Sequence, residues 1–258
     1  MQVQTRQGPS FGVARITLAA NESVRVESGA MMTMSTGVEL SSKAEGGVLK
    51  SLKRAALGGE SFFVSTYTAP AQGGFVDVAP RLPGDVIAFD VTPATPLFIQ
   101  KGSWLANDAN VAIETQWGGF KNMFGSEGGF IIRAEGQGLV VFGCYGALET
   151  WDLAAGQTLT VDTGHMVAYE GSVGMAIRKA SGGGLIQSFK SGEGLVFEFS
   201  GPGKVWTQTR NPNELVGWIQ GMLGTGNSGA GGGGGALGGL FGRDRRRSLF
   251  PRPKPTPS

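Results

Sequence analysis

Leu97-Phe98-Ile99-Gln100-Lys101-Gly102-Ser103-Trp104-Leu105 places two apolar runs on either side of a glycine. The same arrangement stands at Val24-Arg25-Val26-Glu27-Ser28-Gly29-Ala30-Met31-Met32 and at Leu159-Thr160-Val161-Asp162-Thr163-Gly164-His165-Met166-Val167. In the copies that begin at Val24 and Leu159 apolar and polar residues alternate before the glycine, which is the two-residue period of a strand. Three like stretches in one chain raise the question of an internal repeat, and a missed repeat misassigns a fold.

Two further blocks recur in the same order. Gly46-Gly47 leads through Val48 to Lys53 into Gly58-Gly59-Glu60-Ser61-Phe62-Phe63. Gly118-Gly119 leads through Phe120 to Phe124 into Gly128-Gly129-Phe130-Ile131, and Gly183-Gly184 leads through Leu185 to Lys190 into Gly192-Glu193-Gly194-Leu195. Each unit then closes on a third block: Gly74-Phe75-Val76-Asp77-Val78, Gly138-Leu139-Val140-Val141-Phe142 and Gly203-Lys204-Val205-Trp206-Thr207. From the first glycine to the strand of the second block the spacing is 33, 28 and 31 residues. Turn-bearing stretches, Pro83-Gly84-Asp85 to Phe89 and Leu153-Ala154 to Leu159, are expected to open the later units. These blocks predict an all-β fold, a sandwich or barrel-like domain of three diverged repeats with pseudo-three-fold symmetry and short helices. Closure of such an arrangement would hide strand edges. The domain spans 1–210, with repeats at about 10–80, 82–146 and 147–210.

Val26-Glu27-Ser28-Gly29-Ala30-Met31, Gly59-Glu60-Ser61-Phe62-Phe63 and Ser191-Gly192-Glu193-Gly194-Leu195 resemble the mitochondrial-biogenesis family named for altered inheritance of mitochondria, in its bacterial form a domain of unknown function. The resemblance covers about residues 1–220, and Gly-Glu-Ser-Phe-Phe is its most specific step. It implies a fold like that of the tryptophan RNA-binding attenuation protein, with a pseudo-three-fold sandwich, and it implies no catalytic residues. Mitochondrial members are associated with inner-membrane organisation; no transit peptide is visible here.

Past Arg210 the composition changes. Residues 211–220 read as a short amphipathic helix with Pro212 at its first position, where the missing N–H costs nothing. Twelve glycines fall between 221 and 242, the composition of a flexible linker. Residues 243–258 carry six Lys and Arg against one acidic residue, a net charge of +5, and read as a disordered basic tail. Residues 1–242 hold 16 basic and 19 acidic side chains, so the body is mildly acidic.

Composition narrows the chemistry. The chain has one His and one Cys. A transition-metal site wants two or three imidazoles or thiolates, so no metal and no cofactor is expected. No G-x-S-x-G elbow is present, and Gly58-Gly59-Glu60-Ser61 lacks the Lys-Ser/Thr ending of a phosphate loop. Glu60 and Glu193 sit at matched positions, which points to a repeated structural task. Cys144 in its apolar run is expected to be a buried strand residue, and His165 a structural or surface residue within a strand. The chain is therefore read as no enzyme. A single Cys, no visible signal and no long apolar span give an expected cytoplasmic location, peripheral at the membrane.

The Gly-flanked segments carry the candidate site. On a helix, Val48, Leu49 and Leu52 would share a face, as would Phe120, Met123 and Phe124, and Leu185, Ile186 and Phe189. Lys50, Lys53, Arg54, Lys121 and Lys190 adjoin them. An apolar face ringed by cations suits a membrane interface; the same pattern suits helices that plug the end of a β core. The expected function is a non-enzymatic scaffold or binding module, docking on a membrane surface or a membrane-associated partner. The alternative is an RNA or small-ligand binder. The acidic body disfavours nucleic acid, and a homo-oligomer is compatible with the sequence.

Overall fold

The computed structural model describes residues 1–41, 64–116, 131–179 and 195–223, and divides the chain into Met1–Pro212 and Asn213–Ser258. The first unit is built of strands. β1 (Gln2–Arg6), β2 (Val13–Leu18), β3 (Ser23–Glu27), β4 (Met31–Met34), β5 (Glu39–Ser41), β6 (Val64–Thr68) and β7 (Gly74–Val78) form the first group. β8 (Val86–Val91), β9 (Leu97–Gln100), β10 (Trp104–Asp108), β11 (Val111–Gln116), β12 (Ile131–Gly136) and β13 (Gly138–Gly143) form the second. β14 (Leu148–Leu153), β15 (Thr158–Asp162), β16 (Met166–Glu170), β17 (Gly174–Lys179), β18 (Leu195–Ser200) and β19 (Gly203–Gln208) form the third.

Pairing links the groups in a regular way. The sheets run β1-β2-β7-β4, β5-β6-β3-β10-β13-β8, β11-β12-β9-β16-β19-β14 and β15-β18-β17. In both six-stranded sheets, three strands of one group join edge to edge with three of the next, through β3–β10 and β9–β16. A register shift recurs just past each repeat glycine: between Met31 and Thr33, Trp104 and Ala106, and Met166 and Ala168. An extra residue of this kind bends a strand and raises its twist. No ladder joins β4 to β15, so the sheets do not close into one barrel as the sequence reading allowed.

Alternation decides which side chains go inside. In β2, Ala14, Ile16 and Leu18 are buried while Arg15 and Thr17 point away. They meet Val24, Val26, Val76 and Val78 in a first core. The second core holds Leu97, Ile99, Trp104, Phe142 and Trp206, and the third holds Val161, Met166, Phe197 and Phe199. Trp206 stands T-shaped to Phe89 and Phe142 at ring separations of 5.2 and 5.7 Å, a favoured arrangement of ring quadrupoles.

Three details depart from the sequence reading. Residues 154–157 turn between β14 and β15, so Leu153–Leu159 is a strand junction rather than an opening strand, while the third group opens at Leu148, within the repeat read as 147–210. Gly156 at φ +83° enforces that turn. His165 ends a 3-10 turn (Thr163–His165) because the Asp162 carboxylate accepts the Gly164 N–H at 2.9 Å and halts the strand. The helix α1 runs Pro212–Leu223, three residues past the expected end, since Gly221-Met222-Leu223 continues its apolar period.

Candidate functional site

All fourteen candidate residues of the Gly-flanked segments, from Val48 to Arg54, Phe120 to Phe124 and Leu185 to Lys190, lie outside the described residues. So do Glu60 and Glu193. The strands that bracket them are described. Each segment connects an antiparallel pair: β5 to β6, β11 to β12 and β17 to β18. In the strand order, then, all three leave their groups at the matching place.

Several polar side chains among the described residues are hydrogen-bonded within the body. Nδ1 of His165 lies 2.7 Å from the carbonyl of Gln208. The buried Gln208 amide donates to Gly164 O at 2.9 Å, and its oxygen accepts the Tyr145 N–H at 2.8 Å. Asp77 is 1% exposed and accepts from Arg15 Nε and Nη2 at 2.9 Å, Arg6 Nη2 at 2.5 Å and Thr33 Oγ1 at 2.8 Å. Hydrogen bonding from Arg15 holds the Asp77 carboxyl below its ordinary value. Other cations also face carboxylates: Arg81–Glu27, Arg133–Glu135, Arg178–Glu198 and Lys204–Asp152. Among the described residues no three of His, Cys, Asp and Glu gather to hold a metal ion.

Cys144 sits one residue past β13, buried, with its thiol donating to Gly146 O at 3.2 Å. Burial pushes that thiol up to about 11. Only the thiolate is nucleophilic, so Cys144 is expected to react with a thiol reagent at pH 8 far more slowly than free cysteine. Unfolding in guanidinium should release full reactivity. A folded-state rate close to that of a free thiol would contradict this burial.

The feature that sequence reasoning undervalued is α1. Val216, Trp218, Ile219, Met222 and Leu223 are all exposed, and none of its residues is buried. At 100° per residue, Trp218, Met222, Leu215, Ile219, Leu223 and Val216 occupy one continuous arc. Asn213, Glu214, Gly217, Gln220 and Gly221 fill the opposite side. The i, i+3, i+4, i+7, i+8 spacing was legible; that these side chains stand exposed was not.

Residues 3–210 match the family described as Mitochondrial biogenesis AIM24. The chain belongs to that family. An uncharacterised protein of Streptococcus pyogenes serotype M6 is 28% identical over 227 residues, spanning 84% of this AIM24-family chain and 89% of the relative. A crystal structure of a Streptococcus pyogenes protein is also similar, with a TM-score of 0.73 at 25% identity. That likeness covers 86% of this chain and 99% of the other. The AIM24 match ends at Arg210, so α1 and the residues after it lie beyond the matched span. No described helix is long and apolar enough to cross a membrane.

Proposed function

We propose that this AIM24-family protein is a non-enzymatic docking module that attaches to an anionic membrane surface through α1. The exposed apolar arc of that helix carries the reading. Its rim is not cationic, as Glu214 is its one charged residue. The cations come from the chain that follows: Arg243, Arg245, Arg246, Arg247, Arg252 and Lys254, joined through a glycine-rich stretch. Apolar burial and polybasic attraction are the two signals that together hold a peripheral protein on a bilayer. Each Lys or Arg near an anionic surface contributes about 1 kcal/mol, and each apolar side chain that leaves water adds a salt-resistant share.

The Gly-flanked segments around Leu49, Phe120 and Ile186 are a second contact region in this reading, with Lys50, Lys53, Arg54, Lys121 and Lys190 beside them. We also read the three strand groups as diverged copies of one unit with approximate three-fold symmetry, open at the third junction, where no ladder joins β4 to β15. Recurrent strand order and the recurrent shift past each glycine support that. The RNA alternative draws no support from the body, where the cations named above face carboxylates.

Sedimentation with vesicles of phosphatidylglycerol and phosphatidylcholine tests the function. The full chain should pellet at low salt, and Trp218→Ser, Ile219→Ser and Met222→Ser together should release it. Since Trp218, Ile219 and Met222 are exposed, that variant should melt within about 2 °C of the parent, as surface changes cost within about 0.5 kcal/mol. A chain lacking residues 243–258 should bind with a flatter salt dependence. Leu49→Ser, Phe120→Ser and Ile186→Ser together should weaken binding without unfolding; unfolding would make those segments core plugs. Failure of the parent chain to pellet at low salt would end the membrane reading.

A further inference from the structure

Two strands in the first unit are left with an open edge at places where the fold elsewhere makes a junction. β3 joins β10 with Val26 opposite Ala106 and Arg25 opposite Asn107. β9 joins β16 with Ile99 opposite Ala168 and Phe98 opposite Tyr169. Counted from the glycine of each stretch, both junctions obey one rule: the residue three before one glycine faces the residue four after the next. β15 and β4 are the remaining strands of these two kinds, and each ends its sheet.

Exposure sets β4 apart from its counterparts β10 and β16. Leu105 and Asn107 in β10 are 1% and 0% exposed, and Val167 and Tyr169 in β16 are 0% and 5%. The residues at the same offsets in β4, Met32 and Met34, are 49% and 41% exposed. Thr158, Thr160 and Asp162 of β15 are exposed as well. Edge strands are ordinarily guarded against pairing by charge, proline or a covering segment. Met31-Met32-Thr33-Met34 contains neither charge nor proline, and β15 carries one charge, Asp162, at its end, with no charge or proline from Thr158 to Val161.

We infer that β4 of one copy pairs antiparallel with β15 of a second copy, extending the rule to Val161 opposite Thr33 and Thr160 opposite Met34. The occupant is a second copy because the rule calls for a β15-type strand, and no ladder among the described residues supplies one. The contact joins two different edges, so it is head-to-tail. Such contacts close into a ring when the rotation allows and otherwise extend as a filament. This interface is independent of α1 and of membrane docking.

Mixing purified Met34→Cys with Thr160→Cys under mild oxidation tests the register. Directly opposed β residues hold their Cβ atoms about 4.5–5.5 Å apart, close enough for a disulfide after small adjustment. The mixture should give a disulfide-linked dimer on a non-reducing gel, and neither variant alone should. Light scattering of the parent should give a multiple of 26.8 kDa. Met34→Asp with Thr160→Asp in one chain should reduce that to a monomer, and Met34→Lys with Thr160→Asp should restore the oligomer. A monomeric parent with no mixed disulfide overturns the inference. So does a Met34→Cys/Thr160→Cys chain that cross-links only within itself, or a folded charge-matched variant that stays monomeric.

Discussion

Replacing Gly84 by Ala should cost about 4 kcal/mol or more, beyond the usual 1–3 kcal/mol of overpacking because backbone hydrogen bonds are lost too. A Cβ at this position would stand 1.8 Å from the carbonyl oxygen of Cys144 and 2.7 Å from its carbon. Both are backbone atoms, so no rotamer change relieves the clash. Gly84 makes an isolated parallel bridge with Gly146. Around it, Gly12 N–H donates to Gly84 O at 2.8 Å, Gly146 N–H to Pro83 O at 2.8 Å, and Cys144 N–H to Asp85 O at 3.1 Å. The Asp85 carboxylate accepts Ser10 N–H at 2.6 Å and Leu148 N–H at 3.0 Å. Parting these segments therefore loosens the lead-in to β2, β8 and β14 at once. Gly102→Ala is the control: an added Cβ there meets nothing within 4 Å. Chemical denaturation should show a large loss for the first substitution and a small one for the second. Similar midpoints for both would contradict the packing described.

Asp77→Ala should lower stability by about 3 kcal/mol, the low end for removing one partner of a buried ion pair. The low end applies because Arg6 and Arg15 are each 36% exposed and can turn to water. The loss should lower the melting temperature by roughly 6–12 °C. Acidity should act on the same network. The native Asp77 carboxyl is held low chiefly by the hydrogen bonds from Arg15. Its contribution is thus fully present above the ordinary carboxylate range, and it is lost as pH falls through the lowered native value. Stability of the parent should fall in acid more steeply than that of Asp77→Ala. Parallel acid profiles would remove Asp77 from the account.

Much of the strand plan was legible because it is local. The runs around Gly29, Gly102 and Gly164 mark strand, turn and strand in all three groups, although the glycines serve different ends. Gly29 takes φ +94°, whereas an added Cβ on Gly164 would strike the Asn211 side chain at 2.2 Å. At Gly102 neither demand exists, so a pattern match alone could not say why a glycine stands there. Cys144 was legible as buried from its apolar neighbours. His165 was misplaced because the Asp162 side chain, not periodicity, stops the strand before it.

The open edges of β4 and β15 could not be read in the sequence, since edge status depends on pairing between distant segments. The apolar arc of α1 could be read as a period, yet period alone does not distinguish a face packed on a core from one left bare. The segments around Leu49, Phe120 and Ile186 drew attention by recurring three times. The arc that carries the docking proposal occurs once, beyond the AIM24 match.

Fluorescence quenching by phospholipids brominated along the acyl chain tests that proposal most directly. Vesicles containing such lipids should quench part of the tryptophan emission of the full chain. That part should vanish in Trp218→Phe, which keeps an apolar side chain and should still pellet with the vesicles. Quenching that persists undiminished in Trp218→Phe, or none in the parent while it is bound, would contradict docking through α1.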